Sequence, residues 1–330
     1  MEPVALSPEE KSGVGEGRSP SASPDASRRG RAVTPSSPDT LLRRVELRVA
    51  RRLDGLLQGE RRGRRPGPGS EHSLTRVYEP GDDVRWIDWP LSARVGEPMV
   101  RVPELEPVLT AWALVDTSPS MAFGTVRTTK RELAREVLGG LGVVLRRRGD
   151  RLGIAVSGGD GLDVVGAPRG DRHGLISSLA AYDAYQPTHD GGRTDLALAI
   201  TSLGRVLKHR GLVAILSDFP LSDGLEQALG VLSRRQELLL VELRDPRERE
   251  LPEVGPLTLR DVETGRTVLV DTADPRFQER FRTLASDADR RREAMFRRVG
   301  GRHLVVSTDT DWVLPLARAF MRPVPGRRVS

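Results

Sequence analysis

Five oxygen-bearing side chains stand out by type and spacing. In "LVDTSPSMAFG", residues 114–124, a carboxylate and two hydroxyls alternate as Asp116, Ser118 and Ser120, just after the apolar run Val108, Leu109, Ala111, Trp112 and Ala113. A second apolar run, "GLVAILSDF", ends in Asp218, and "GGRTDL" places Thr194 in a glycine-rich turn ahead of a helical pattern. Two carboxylates and three hydroxyls, with no histidine or cysteine, make a hard donor set of low formal charge. Such a set suits Mg²⁺ or Mn²⁺ in octahedral geometry, with water or a partner's oxygen filling the remaining positions. Alternate residues after a strand can direct their oxygens to one side, so the requirement is that three distant loops meet at one edge.

Competing chemistries lack their parts. A phosphatase-type DxDx loop would need a carboxylate where Ser118 stands. GxSxG and HExxH are absent, and His72, His173, His189, His209 and His303 fall in no triad or metal spacing. Neither GxGxxG nor GxxxxGKS occurs, so "SGGDG" at 157–161 reads as a hairpin or loop turn and not a phosphate cradle. With no cysteine, disulfides and thiolate sites are excluded.

The elements that must position the five residues follow from periodicity. Apolar strands at 108–115, 151–156, 162–165, 212–216, 237–243 and 303–306 alternate with amphipathic helices at 130–148, 172–182, 195–209, 225–234 and 312–320. That alternation predicts an α/β fold, a mostly parallel six-stranded sheet with helices on both faces. In such sheets chemistry gathers in the loops at the carboxyl ends of strands, where Asp116 and Asp218 fall. Between the last two strands, residues 245–299 read as an insertion. It holds a hairpin around Thr264-Gly265 and a helix at 275–298 whose apolar face is Phe277, Phe281, Leu284 and Ala288, for packing on the sheet or docking a partner.

Composition places this domain within the chain. The 330 residues, 37% hydrophobic, suffice for a full core. Residues 1–38, rich in Ser, Pro, Gly and charge, predict a disordered tail, and 322–330 read as a short C-terminal tail. Residues 39–66 predict a basic amphipathic helix and linker, with Leu42, Val45, Val49, Leu53 and Leu56 on one side and Arg43, Arg44, Arg48, Arg51 and Arg52 on the other. The segment 39–65 holds nine Arg against four acids, while residues 66–330 are nearly neutral, so the net charge of +6 is local. Packing of this helix on its own domain or on a protein is favoured over nucleic acid. Residues 67–107 predict a small β-rich segment of strands and turns, in which Asp82, Asp83 and Asp88 pair with nearby Arg85 and Arg94 or hold turn backbone. No basic-apolar leader and no long apolar window is present, so the expectation is a cytoplasmic protein without a transmembrane segment.

DxSxS after a buried strand, Thr194 in "GRTDL" and Asp218 in "SDF" together resemble the metal-ion-dependent adhesion site of von Willebrand factor A domains. The resemblance implies that Ser118, Ser120 and Thr194 ligate an ion by hydroxyl, that Asp116 and Asp218 act directly or through water, and that a partner's Asp or Glu completes the shell. "YEPGDDVRWIDWPLSAR" and "HLVVSTDTDWVLPLARAF" extend the likeness, over residues 70–321, to a bacterial family known as domain of unknown function number fifty-eight. Many members carry two membrane helices ahead of the shared segment, where this chain has its basic helix. Members often neighbour MoxR-like AAA+ ATPases, chaperone-like remodellers of other proteins.

The expected function is therefore a non-enzymatic, metal-dependent protein-binding module, an adaptor or co-chaperone of a MoxR-like AAA+ ATPase. The alternatives are a Mg²⁺-dependent hydrolase and a binder of nucleic acid or acidic membrane through residues 39–65. Because the Asp116 loop is expected to lie outside the core, Asp116→Ala is expected to abolish ion binding and leave most of the fold.

Overall fold

The computed structural model describes residues 36–63, 73–103, 108–125, 128–158, 161–186, 195–260 and 265–321. The expected N-terminal tail up to residue 35, the linker after residue 63, Thr194 and the C-terminal tail lie outside them.

In chain order the elements are α1 (Pro38–Gly63), β1 (Ser73–Val77), α2 (Trp89–Val95), β2 (Met99–Pro103), β3 (Thr110–Val115), α3 (Lys130–Arg147), β4 (Arg151–Gly158), β5 (Gly161–Arg169) and α4 (Arg172–Ala184). There follow α5 (Leu196–Val206), β6 (Leu212–Ser217), α6 (Leu225–Ser233), β7 (Glu237–Arg244), β8 (Pro256–Arg260), β9 (Thr267–Asp271), α7 (Pro275–Val299), β10 (Arg302–Ser307) and α8 (Val313–Met321). Among the described residues no helix is long and apolar enough to cross a membrane. The chain divides into two compact units, one of residues 53–108 and one of the rest.

The smaller unit pairs β1 with β2 antiparallel, Leu74 opposite Val102. Its acids are spent on local structure. Asp83 accepts from the Arg85 amide, Asp82 takes the Arg76 guanidinium at 2.6 Å, and Asp88 accepts from the Leu91 amide and from Arg101. One correction concerns "WPLSARV", read as strand and turn. It is the helix α2, started by the Asp88 cap with Pro90 in its first turn and stopped by Gly96 in the left-handed region at φ 84°.

The larger unit is built on a six-stranded sheet of order β10-β7-β6-β3-β4-β5. All neighbours are parallel except β4 and β5, an antiparallel hairpin. This is the von Willebrand A-like α/β sheet expected from the sequence, closed by the strand expected at 303–306. From β3 the chain runs to β4 on one side and later crosses to β6 on the other, so the topological switch point lies between β3 and β6.

Both faces are covered. Trp112, Leu114, Val213, Ile215, Leu238 and Leu240 pack with the apolar sides of α5, α6 and α7 in one cluster. On the opposite face α3 lies against β3 and β4 and touches α4 and α8. The basic helix α1 joins that second face: Leu41, Leu42, Val45 and Val49 are fully buried, and Leu41 and Val45 lie over Gly139 of α3. Its polar groups are bound as well, Arg48 to Glu136 and Asp311, and Glu46 to Arg146.

The helix of the insertion needs a second correction. Met295, Phe296 and Val299, at the C-terminal end of α7, belong to the main core, whereas Phe277 and Phe281 pack on Phe123, Leu251 and Leu259 beside the hairpin β8–β9. Leu284, expected on the buried face, is 41% exposed. The helix leads directly into β10, the parallel neighbour of β7, so it is the crossover helix of that pair, and the added structure is the hairpin.

Candidate metal centre

The register of the sheet explains how Asp116 is held. Val115 stands opposite Val156 of β4 and Leu216 of β6, so the next positions outward are Asp116, Ser157 and Ser217. The Asp116 amide continues the ladder by donating to Leu216 O at 2.9 Å. Its carboxylate then accepts from both flanking serines: Ser217 Oγ donates to Oδ2 at 2.6 Å and Ser157 Oγ to Oδ1 at 3.3 Å. A third bond comes from the Ser118 amide at 2.9 Å. Asp116 is buried, contrary to the expectation of a loop outside the core. Its place one residue past a central strand, between two neighbouring strands, is what encloses it.

From this anchor the chain makes a short 3-10 turn, Pro119–Ala122, which brings Ser118 Oγ within 2.9 Å of Ser120 Oγ. Asp218 follows β6 directly. The next residue, Phe219, has φ 51°, a left-handed conformation rare for a bulky side chain. Its buried ring stands edge-on to Phe296 at 4.9 Å, and its amide donates to Ser217 Oγ. Burial of the ring and that hydrogen bond together hold the turn that presents Asp218.

Asp218 is bound on one side only. Lys130 Nζ donates to its Oδ2 at 2.6 Å and to Glu248 Oε1 at 2.5 Å. The Ser120 hydroxyl helps keep the carboxyl ionised, yet Oδ1 is buried without a well-formed hydrogen bond. Glu248 is fixed in turn, its Oε2 accepting from the Asp245 amide in a capping box. Asp245 also takes Thr125 and Thr308, tying the loop after β7 to the loop after β3.

The charges differ in consequence. Burial pushes the Asp116 carboxyl upward, and the Asp218 charge adds to this, against the hydrogen bonds from Ser217 and Ser118. Burial also opposes ionisation of Asp218, but the Lys130 ammonium outweighs it and holds this carboxyl below the ordinary range. Burial raises Glu248, only partly countered by Lys130. For Lys130 itself burial works against the charge, and the two carboxylates more than offset it.

Of the five residues singled out by sequence, Asp116, Ser118, Ser120 and Asp218 meet at this edge; Thr194 lies outside the described residues. Among the described residues no three His, Cys, Asp or Glu side chains form a cage for an ion, so one held here would depend on hydroxyls and water. The donors present fit that role. Octahedral Mg²⁺ ligands at about 2.1 Å lie about 3 Å apart along an edge, close to the Ser118–Ser120 separation, and Asp218 Oδ1 is a buried acceptor left open. Asp116, with three donors already on it, serves by orienting the loop.

Four participants escaped the sequence reading. Ser157 and Ser217 carried a signal, since each follows an apolar strand at the same height as Asp116. Lys130 and Glu248 carried none in their spacing.

Residues 74–292 match the family model described as protein of unknown function DUF58. Uncharacterized proteins of Mycobacterium tuberculosis and Mycobacterium bovis are each 36% identical to this chain over 277 residues, covering 84% of it and 87% of the relative. Among solved structures, the conserved hypothetical protein BatB from Bacteroides thetaiotaomicron covers 64% of this chain and 97% of its own length, with 13% identity and a TM-score of 0.42. An aerotolerance-related membrane protein from Bacteroides fragilis covers 64% and 96%, with 16% identity and a TM-score of 0.41. Likenesses this distant carry no function to the chain. The family match and the mycobacterial relatives establish that the chain belongs to the DUF58 family.

Proposed function

We propose that this protein is a non-enzymatic protein-binding module whose contact depends on Mg²⁺ or Mn²⁺ held by Ser118, Ser120, Asp218 and Thr194, with Asp116 orienting the loop. The observation that carries the reading is the convergence, at the topological switch point, of two hydroxyls at 2.9 Å and an open buried carboxylate oxygen. A divalent ion bound there supplies a point of attraction for an external Asp or Glu carboxylate. The chain's own residues do the rest. Ser157 and Ser217 fix Asp116, the Phe219 turn fixes Asp218, and the uncharged serine hydroxyls coordinate without neutralising the ion. The partner we infer, from the family resemblance, is a MoxR-like AAA+ ATPase in the bacterial cytoplasm, for which this chain acts as adaptor or co-chaperone.

The alternative roles of the basic helix lose ground because Leu41, Leu42, Val45 and Val49 of α1 are buried and Glu46 and Arg48 are paired within the larger unit; the side chains of Leu53 and Leu56 lie outside the described residues. The test is capture of a purified MoxR-like AAA+ ATPase from the same organism on the immobilised full chain. Capture in Mg²⁺ that is lost with chelator and in Ser120→Ala supports the proposal. Equal capture with chelator contradicts the metal dependence, and failure to capture contradicts the partner.

A further inference from the structure

Lys130 is out of place by ordinary rules. It is fully buried, and it stands at the first position of α3, where the helix dipole disfavours a cation. Only three of the 52 basic residues in the chain are lysines, so this position takes the compact ammonium where arginine is the general choice. Its Nζ holds Asp218 Oδ2 and Glu248 Oε1 together and faces the Phe123 ring at 6.0 Å. Both carboxylates are themselves immobile, Asp218 through the Phe219 turn and Glu248 through its cap on Asp245.

We propose that Lys130 is a built-in counter-cation that weakens divalent-ion binding at the sheet edge and keeps a bound ion able to recruit an external carboxylate. The inference rests on the metal reading above. Asp218 carries the open carboxylate oxygen at this edge, and with its full charge it would hold a divalent ion more tightly and leave it less attraction for a carboxylate from outside. The fixed positive charge of Lys130 on its other oxygen removes part of that hold. The ion is then held weakly by the chain alone, and a carboxylate from outside adds binding that the chain withholds. Lys130 thus couples ion and partner: each is held well only with the other.

The experiment is Mn²⁺ binding to the full chain, followed by electron paramagnetic resonance of free Mn²⁺, with and without acetate as the carboxylate probe. Lys130→Met keeps the length of the side chain and removes the charge. Lys130→Met/Glu248→Gln removes the pair together, which guards against a fold lost to an unpaired buried acid. Folded by circular dichroism, Lys130→Met should bind Mn²⁺ at least about tenfold more tightly than wild type, and the double variant more tightly than Glu248→Gln alone, each comparison removing the one positive charge; in both, acetate should strengthen binding less than in the reference protein. Wild-type binding with no tightening in the folded variants overturns the role of Lys130 and leaves the metal site standing. Absence of Mn²⁺ binding in wild type and variants alike overturns both.

Discussion

Asp116 and Ser120 stand four residues apart in the same loop, yet their substitution should differ sharply in its consequence for the fold. The Asp116 carboxylate is the acceptor for Ser157, Ser217 and the Ser118 amide, all buried. Asp116→Ala leaves those donors without their partner, and loss of such bonds costs about 2–3 kcal/mol. Ser120 bonds Ser118, and Ser120→Ala should stay within about 1 kcal/mol of wild type. Urea denaturation of the two variants checks this, and equal stability would mean that Asp116 does not anchor the edge. A loss of ion binding in Asp116→Ala therefore reports on the loop as much as on a ligand, and the serine variants are the cleaner probes.

At the scale of elements, α3 shows how packing overrides propensity. Its "LGGLG" run costs about 1 kcal/mol per glycine against alanine, yet the glycines have different surroundings. A methyl group on Gly139 would meet Val45 at 3.8 Å and Leu41 at 3.9 Å, an ordinary contact, whereas on Gly140 it would enter the Trp312 ring. Gly139→Ala should stabilise by roughly 0.5–1 kcal/mol, and Gly140→Ala should destabilise by about 1–3 kcal/mol, both read from thermal denaturation. The contact of β7, α7 and β10 gives a prediction in pH. Glu242, buried on β7, overcomes the penalty of burial through His303, Arg244 and Arg292, and its pKa falls to about 2. A depressed carboxyl contributes stability above its unfolded value near 4.5 and loses it as pH falls toward 2. That displacement corresponds to about 3 kcal/mol. Stability of the wild type should therefore drop across this window more steeply than that of Glu242→Gln, measured by urea denaturation at pH 2 to 7; parallel curves would contradict the assignment.

At the scale of the molecule, the strands were legible because buried parallel strands are continuous apolar runs, and the acids after two of them marked the carboxyl edge. The helix α2 was hidden because seven residues are too few for a periodic pattern, and only the Asp88 cap and Gly96 announce it. The Lys130–Glu248 contact joins residues 118 apart, and only the register of three loops creates it. The same register turns Ser157 and Ser217 from ordinary strand ends into the clamp on Asp116. Ion binding thus depends on one edge of one sheet, and its sharpest test is Mn²⁺ titration of the full chain, wild type beside Ser118→Ala/Ser120→Ala. One Mn²⁺ per wild-type chain at millimolar concentration is expected, with loss of that site in the folded double variant. No binding by wild type, or equal binding by the variant, would contradict the metal reading.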